Sequence, residues 1–421
     1  MHREHIAVVG AGAAGLMAAR ELARAGKRVT ILEARKRCGG RIHPLPSADF
    51  GYPAEGGAEF VHGEAPVTRS LLREARLSLL PILGRQWTAE HGNFSGRESQ
   101  DPHEAELHKA LQALKDDLPV AEFLRRHFAG PGYDRLRHSI ERMVEGYDAA
   151  DPERASTLAL REEWMDGGRS TQVRIAGGYA ALVEFLAAGC RSHGVALHLD
   201  SAVSAIEASR GRAVVRCING DAHQCDAVIL TVPLPVLKAI VLPPAARDRA
   251  RAAAAIGFGN VIKILLRFKT AWWVDQRMDL ADLTFLLSDA GIPVWWTQRP
   301  ADLPVLTGWF GGPRTEAMAG LGEPELIEAA LTSLAGIFGR DANQLKRSLV
   351  AARAINWAQD PLAGGAYSYA TPETRAAQAV LARSDGGPVV LSGEALYRGR
   401  DMGTVEAALA SGLEAARSLT G

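Results

Sequence analysis

A glycine-rich turn between two apolar runs constrains this chain more than any other feature of its sequence. The run Ile6 to Val9 predicts a buried strand, Ala13 to Ala25 predicts a helix with small and apolar faces, and Arg28 to Leu32 predicts a second strand. The turn after the first strand is Gly10-Ala11-Gly12-Ala13-Ala14-Gly15. This order predicts a βαβ unit, which is the context that makes such a glycine pattern informative.

The turn and a following acid indicate a dinucleotide site. Gly10, Gly12, Ala14 and Gly15 are the small residues that would let the backbone approach a pyrophosphate beside the NH groups of the helix N-terminus. Glu33 follows the second strand, and a carboxylate there can accept hydrogen bonds from ribose hydroxyls while repelling a 2′-phosphate. We therefore expect FAD or NAD rather than NADP, and the turn alone does not separate the first two.

Length and charge set the broad class of the protein. The 421 residues exceed what one hydrophobic core usually organises, so two domains are expected. Lysine plus arginine equal aspartate plus glutamate at 48 each, which gives no reason to expect nucleic acid or anionic lipid as a partner. The cysteines form no CxxC pair and the histidines no HExxH pattern, so we expect neither a disulfide framework nor a metal site.

The chain carries no recognisable targeting or spanning segment. It enters the run Ile6 to Val9 without a charged leader and a removable apolar stretch. The longest apolar stretch, Ala227 to Leu242, is interrupted by Pro233, Pro235 and Lys238, whereas a membrane span needs about 20 apolar residues. We expect a cytoplasmic protein that does not cross a membrane.

The rest of the chain divides by its periodicity. Helical spacing from Glu104 to Tyr147 predicts an inserted helical block, and Asn219-Gly220 predicts a hairpin turn within a small antiparallel meander. Strands rich in aromatic residues occupy roughly 257 to 370, which we assign to a second domain. The longest loops are expected around Gly84 to Pro102.

A series of motifs in fixed order resembles the flavin amine oxidase family and spans nearly the whole chain. The first is Arg37-Cys38-Gly39-Gly40-Arg41, which is similar to the RxGGR extension of that family. Each match is weak alone, but their joint occurrence in one order is specific. The others are Glu55 to Gly63, Gly177-Gly178-Tyr179, Val228 to Pro233, Gly259 to Lys263, Trp357 to Tyr369, Ser392 to Ala395 and Gly403 to Ala408.

The resemblance implies FAD as the cofactor and a two-domain α/β fold. A Rossmann-like FAD-binding domain would be built from three chain segments, 1–62, 176–256 and 380–421. A mixed α+β substrate-binding domain would comprise 63–175 and 257–379. The active site is expected between the two domains, as cofactor sites often are.

The resemblance also implies cofactor-binding roles. Arg41 would lie near the FAD pyrophosphate, the backbone of Val203 would meet adenine, and Glu394 would hydrogen-bond the ribityl chain. Thr404-Val405 would begin a helix whose N-terminus faces the flavin pyrimidine ring, where it could stabilise negative charge on the reduced flavin. Glu394 could instead be a solvated carboxylate at a strand end. Gly57, Ala58 and Trp357 lie within matching motifs and are assigned to cofactor binding with them.

Three residues are the implied catalytic candidates. Tyr367 falls where the family places an aromatic wall before the flavin, although it could serve only packing. His62 matches a histidine of animal-type polyamine oxidases, with a packed loop histidine as the equal alternative. Lys263 would hold a water against flavin N5, unless it lies on an edge strand with its ammonium in solvent.

Two departures from the monoamine oxidases follow from the same motifs. Ala366 stands where their flavin-linking cysteine lies, so no thioether can form there. Thr404 stands where their second cage tyrosine lies, so the cage is at best half aromatic.

The expected function is FAD-dependent oxidation of an amine by hydride transfer from the carbon next to nitrogen. The imine would be hydrolysed, and dioxygen would reoxidise the flavin to give hydrogen peroxide. Polyamine-like or other primary and secondary amines are the expected substrates. The alternatives are a desaturase or porphyrinogen-type oxidase on the same scaffold, and a flavin-bound binding protein with little catalysis. The particular amine, the preferred acceptor and the oligomeric state stay open.

Overall fold

The computed structural model of the protein describes residues 3–90, 92–96, 101–165, 172–209, 211–384 and 386–420. Its strands, in chain order, are β1 (His5–Val9), β2 (Arg28–Leu32), β3 (Leu79–Pro81), β4 (Arg85–Glu90), β5 (Asn93–Ser95), β6 (Val173–Ile175), β7 (Ala196–His198), β8 (Val203–Ser209), β9 (Arg212–Cys217), β10 (Ala222–Cys225), β11 (Ala227–Leu230), β12 (Gly257–Gly259), β13 (Val261–Phe268), β14 (Leu283–Ser288), β15 (Val294–Trp296), β16 (Val305–Gly311), β17 (Leu349–Asn356), β18 (Tyr367–Tyr369) and β19 (Val389–Leu391).

The α-helices, in chain order, are α1 (Ala13–Arg24), α2 (Ser47–Phe50), α3 (Pro66–Ala75), α4 (Glu104–Ala113), α5 (Val120–His127), α6 (Asp134–Gly146), α7 (Thr157–Met165), α8 (Tyr179–Ser192), α9 (Leu234–Leu237), α10 (Pro244–Ala250), α11 (Trp272–Gln276), α12 (Glu323–Phe338), α13 (Ala342–Ser348), α14 (Thr374–Leu381) and α15 (Val405–Ser418).

Three separate parts of the chain build one parallel sheet, in the strand order β19-β11-β1-β2-β7. Every residue of β1 is buried, as expected for an apolar strand covered on both faces of a parallel sheet. The chain passes from β1 to β2 on one side, while β11 lies on the other side. A crevice therefore opens at the carboxyl end of β1, which is where ligands bind in sheets of this kind.

Helices α1 and α15 pack together over this sheet at very close range. A Cβ added to Gly412 of α15 would lie 2.2 Å from the carbonyl oxygen of Ala14 in α1. Only glycine permits that approach. The C-terminal helix thereby fixes the N-terminal end of α1 beside the crevice.

A three-stranded antiparallel meander, β10-β9-β8, lies beside the parallel sheet. Its inner face buries Ala213, Val215 and Cys217 in alternation, as a half-buried strand should. The hairpin turn at Asn219-Gly220 joins β9 to β10, and only the glycine takes a positive φ, of 95°.

The other large sheet has seven strands in the order β17-β13-β16-β15-β14-β4-β5. The long strand β13 lies between β16 and β17, so it is not an edge strand. The expectation of loops from Gly84 to Pro102 was wrong in part, because β4 and β5 form a hairpin that extends this sheet. Trp87 and Ala89 alternate into the core there, a two-residue signal obscured by polar neighbours.

The expected helical block consists of α4, α5 and α6, with a 3-10 turn at Pro131–Tyr133. It has its own apolar core, which includes Phe123, Phe128 and Ile140, and Tyr369 of β18 packs against it. The block therefore packs against β18, which pairs with β12 in a separate two-stranded sheet, and its helix α6 also contacts β16 of the seven-stranded sheet. Within the described residues, no helix is both long and apolar enough to span a bilayer.

Candidate active site

The glycine turn leaves space where a ligand would approach α1. Gly10 has a φ of 103°, and its NH donates to the Leu32 carbonyl at 2.8 Å. A Cβ on Gly15 would lie 1.9 Å from the Gly10 carbonyl oxygen, so Gly15 is needed by the turn itself. A Cβ on Gly12, by contrast, would meet no heavy atom within 4 Å. Gly12 therefore faces open space at the helix N-terminus, as a phosphate-binding position would.

Glu33 is buried at the end of β2 and is held by the backbone. Its Oε2 accepts the Ala11 NH at 2.6 Å, and its Oε1 accepts the Arg35 NH at 2.8 Å. Each carboxylate oxygen can accept more than one hydrogen bond, so ribose hydroxyls could still bind. The Glu33 carbonyl also accepts the Ser201 NH at 2.8 Å, which brings the start of β8 at Val203 close to this acid.

The loop after Glu33 is stabilised by its own arginine. Arg37 donates to the carbonyls of Cys38, Gly40 and Ile42 at 3.1, 2.9 and 2.8 Å. A Cβ on Gly40 would lie 3.5 Å from Gly12 Cα, so this loop passes directly over the glycine turn.

Arg41 connects that loop to the C-terminal part of the chain by hydrogen bonds. Its Nη1 donates to Glu394 Oε1 at 2.8 Å and to the Ala366 carbonyl at 2.7 Å. Glu394 is buried and also accepts the hydroxyl of Ser368. Glu394 is therefore not a solvated strand-end carboxylate, and two residues assigned to the cofactor form an ion pair.

The segment around Gly57 packs against Arg41. A Cβ on Gly57 would lie 1.8 Å from the Arg41 carbonyl oxygen and 3.2 Å from the Trp357 ring, and the Ala58 NH donates to the same carbonyl at 3.4 Å. Trp357 is buried behind it. Gly57, Ala58 and Trp357 thus lie together.

Thr404 caps the N-terminus of α15. Its Oγ1 accepts the Ala407 NH at 3.1 Å, which satisfies one free donor of the first helical turn. A Cβ on the adjacent Gly403 would lie 3.2 Å from Tyr367 Cδ2. The start of this helix is therefore beside Tyr367.

Lys263 projects from β13 into the protein and is 1 % exposed. Its Nζ donates to the Gly57 carbonyl at 3.0 Å and to Glu59 Oε2 at 2.8 Å. Its ammonium also lies 5.5 Å from the centroid of the Trp296 ring. Lys263 therefore does not lie on an edge strand, and its ammonium is not in solvent.

Glu59 is the centre of this buried charged group. Its Oε1 accepts hydrogen bonds from Arg174 Nε at 3.0 Å, from Trp296 Nε1 at 3.1 Å and from Gln298 Nε2 at 3.3 Å. Burial by itself raises the pKa of Glu59, but the charges of Lys263 and Arg174 outweigh it and bring that pKa down to about 2. Glu59 is therefore a carboxylate at neutral pH.

Six aromatic side chains form a closed series of contacts, which we call the aromatic circuit. Successive members have ring centroids 5.5 to 6.5 Å apart, and the Tyr367 hydroxyl closes the series by donating to the Tyr147 carbonyl at 2.7 Å. The members, in order, are Tyr367, Trp309, Trp296, Phe60, His62 and Tyr147. Trp296 belongs both to this circuit and to the group around Glu59.

His62 lies deep in the protein but keeps part of its surface accessible. Burial lowers its pKa to about 4, so the imidazole is neutral at physiological pH. Its Nδ1 lies 3.1 Å from the Tyr147 hydroxyl, and which of the two donates depends on the tautomer. A neutral histidine within an aromatic wall can bind an amine without repelling it.

Several of the predicted residues thus form one continuous row. It runs from Glu33 and Gly12 through Gly40 and Arg41 to Gly57, and from there to Lys263 and the aromatic circuit. Sequence reasoning missed Glu59, Arg174, Trp296 and Tyr147 as site residues. The available signal was a lone lysine in an apolar strand, which needs an acidic partner but does not indicate where in the chain that acid lies.

Comparisons with known proteins identify the family of the chain. A family model described as flavin containing amine oxidoreductase matches residues 13–420. The chain belongs to that family. The expected cofactor, FAD, and the expected enzyme class, an FAD-dependent amine oxidase, are thereby confirmed.

Curated relatives include plant proteins of two kinds. Probable polyamine oxidase 4 of Arabidopsis thaliana is 27% identical over 403 residues, which cover 86% of this chain and 76% of the relative. Lysine-specific histone demethylase 1 homolog 3 of the same plant is 29% identical over 441 residues. That match covers 86% of this chain but only 26% of the demethylase homologue, so most of that protein has no counterpart here.

Solved structures show the same fold. A putrescine oxidase bound to putrescine aligns with a TM-score of 0.80 at 19% identity and covers 99% of both chains. Cyclohexylamine oxidase from Brevibacterium oxydans IH-35A aligns with a TM-score of 0.79 at 20% identity, over 100% of this chain and 99% of that one. The expected combination of a Rossmann-like FAD domain and a mixed α+β domain is confirmed, while the domain boundaries stay a prediction.

The residues present fit FAD. The space before Gly12 would take the pyrophosphate, Glu33 would take the adenosine ribose, and the row from Arg41 to Gly57 would lead the flavin to Lys263. Ala366 offers no sulfur for a thioether.

Proposed function

We propose that this amine oxidase removes a hydride from the carbon next to an amine nitrogen, gives an imine that water hydrolyses, and passes the electrons to dioxygen as hydrogen peroxide. The observation that carries the proposal is Lys263, buried between the Gly57 backbone and the aromatic circuit. Bound FAD supplies the hydride acceptor at N5. The protein's own residues bind the amine, orient it and exclude water.

The aromatic circuit is suited to bind the substrate amine. Ring faces attract an ammonium group, and their apolar surroundings favour the neutral amine that gives up the hydride. Tyr367 and Trp309 stack at an interplanar angle of 24° and offer a flat wall. Neutral His62 and the Tyr147 hydroxyl provide polar contacts within the circuit.

Lys263 would act in the oxygen half of the cycle. Reduction of dioxygen first develops negative charge, and a preorganised cation in a dry site stabilises such charge strongly. The third NH of Lys263 has no protein partner among the described residues, so it can hold a water near the flavin.

The proposed substrates are polyamine-like or other primary and secondary amines. Plant polyamine oxidases, a putrescine oxidase and a cyclohexylamine oxidase among the similar proteins support this range. The single test is a peroxide-release screen over polyamines, aromatic amines, cyclic amines and L-amino acids. Peroxide formed in equal amounts with the aldehyde or ketone supports the proposal, and peroxide release from none of these classes refutes it.

A further inference from the structure

Glu59 brings four donors from separate elements onto one buried carboxylate. Lys263 comes from β13, Trp296 from β15, and Arg174 from β6, while Gln298 follows β15. Glu59 itself belongs to the segment that includes Gly57 and Ala58. Through this side chain, the segment is hydrogen-bonded to the seven-stranded sheet and to β6.

The charges of this group do not balance. Lys263 is a buried cation and Arg174 a largely buried one, and among the described residues Glu59 is the one carboxylate hydrogen-bonded to both. Glu55 is also buried nearby, but burial raises its pKa to about 7 against the charge of Lys263, and its Oε1 is bonded to the Tyr179 NH. Tyr52, whose pKa burial raises, stays neutral. Glu59 is therefore the main negative charge beside the Lys263 ammonium.

The same contacts set the direction of the ammonium. An ammonium has three tetrahedral NH donors, and two of them are fixed by Gly57 and Glu59. The direction of the third follows from those two. Without Glu59, the ammonium would lose one of its two acceptors and could rotate toward others.

We propose that Glu59 is the positioning residue of Lys263, holding its ammonium oriented for the reaction of the reduced flavin with dioxygen. In that step, dioxygen takes two electrons and the N5 proton from the reduced flavin and one proton from solvent, and leaves as hydrogen peroxide. The inference rests on the proposed function, because it assigns Lys263 to the oxygen half-reaction.

The first test observes Lys263 directly in the holoenzyme labelled with [ε-13C]lysine. The Lys263 signal is identified by its absence from Lys263→Met. Glu59→Gln should shift the 13Cε signal of Lys263, because the ammonium loses the carboxylate oxygen 2.8 Å away that fixes its direction. Gln298→Met removes a neutral donor from Glu59 and should leave the signal in place.

A further variant separates positioning from a general loosening of this group. Arg174→Met removes the guanidinium from Glu59 Oε1 and leaves the contact of Lys263 with Oε2 in place, so the Lys263 signal should stay near its wild-type position. A shift in Glu59→Gln without one in Arg174→Met is not expected from a merely structural role. An unchanged Lys263 signal in Glu59→Gln would overturn the inference.

The second test follows the two half-reactions of the flavin separately. Glu59→Gln should slow reoxidation by oxygen by up to about 100-fold, because losing a preorganised donor at a site of developing negative charge costs about 10²- to 10³-fold and Lys263 itself is still present. Anaerobic reduction by the amine should keep its wild-type rate. A normal rate of reoxidation in Glu59→Gln, with slow reoxidation in Lys263→Met, would overturn this inference and leave the proposed role of Lys263 standing. Normal reoxidation in Lys263→Met would instead refute the proposed role of Lys263.

Discussion

Gly12 gives the sharpest test of the cofactor site, because its environment separates ligand binding from folding. Its φ of −75° and ψ of −176° suit any residue, and a Cβ there would meet no atom of the protein within 4 Å. Gly12→Ala should therefore leave the stability of the flavin-free protein unchanged or raise it by about 0.4 to 1 kcal/mol. The same methyl group would occupy the space assigned to the pyrophosphate.

The expected loss of affinity follows from that overlap. Forcing a methyl group into a packed contact costs about 1 to 3 kcal/mol, so the FAD dissociation constant should rise by about 5- to 150-fold. Titration of the apoprotein with FAD, followed by flavin fluorescence, measures this. Gly12→Glu adds a negative charge and should purify without yellow colour.

Gly15→Ala is the matched control. Its Cβ would lie 1.9 Å from the Gly10 carbonyl, so it should lower the melting temperature of the apoprotein itself. A wild-type FAD dissociation constant for Gly12→Ala would refute the placement of the pyrophosphate.

Three further predictions concern the same site. Glu33→Ala should weaken FAD binding by about 1.5 to 3 kcal/mol per ribose hydrogen bond lost, and an unchanged dissociation constant would count against Glu33. Acid precipitation should release the flavin into the supernatant, since Ala366 cannot form a thioether, whereas a yellow pellet would reveal another attachment residue. Burial raises the pKa of Glu55 from 4.5 to about 7, so its folded state favours the neutral acid and loses stability as pH rises through that interval. Glu55→Gln, which keeps an acceptor for the Tyr179 NH, should abolish up to about 3 kcal/mol of that decline, and calorimetry at pH 5 and pH 8 would contradict this if both proteins declined equally.

The sequence predicted the N-terminal βαβ unit well because the signals for its elements are local. The strand, glycine turn, helix and Glu33 lie within thirty or so residues, and each leaves a periodicity or a residue type that physical rules interpret. The bounds of β1, β2 and β13 agree with their apolar runs. The hairpin β4–β5 was missed because its inward signal is only Trp87 and Ala89.

The partners of Lys263 could not be predicted in the same way. Glu59 and Gly57 lie about two hundred residues earlier in the chain, and no local pattern connects them. The aromatic circuit likewise joins residues of five different elements and loops, so its closure depends on tertiary packing. Family resemblance identified Tyr367, His62 and Lys263 individually, but only the structure placed Glu59 and Tyr147 among them.

Anaerobic mixing of the holoenzyme with the amine panel tests the central claim most directly. Amine oxidation at this site predicts that at least one amine bleaches the flavin absorbance, and that admitted oxygen restores it with release of peroxide. Lys263→Met should retain the bleaching and slow the recovery, whereas Lys269→Met, which alters an exposed lysine on the same segment, should change neither. Flavin absorbance that no amine bleaches would contradict the account.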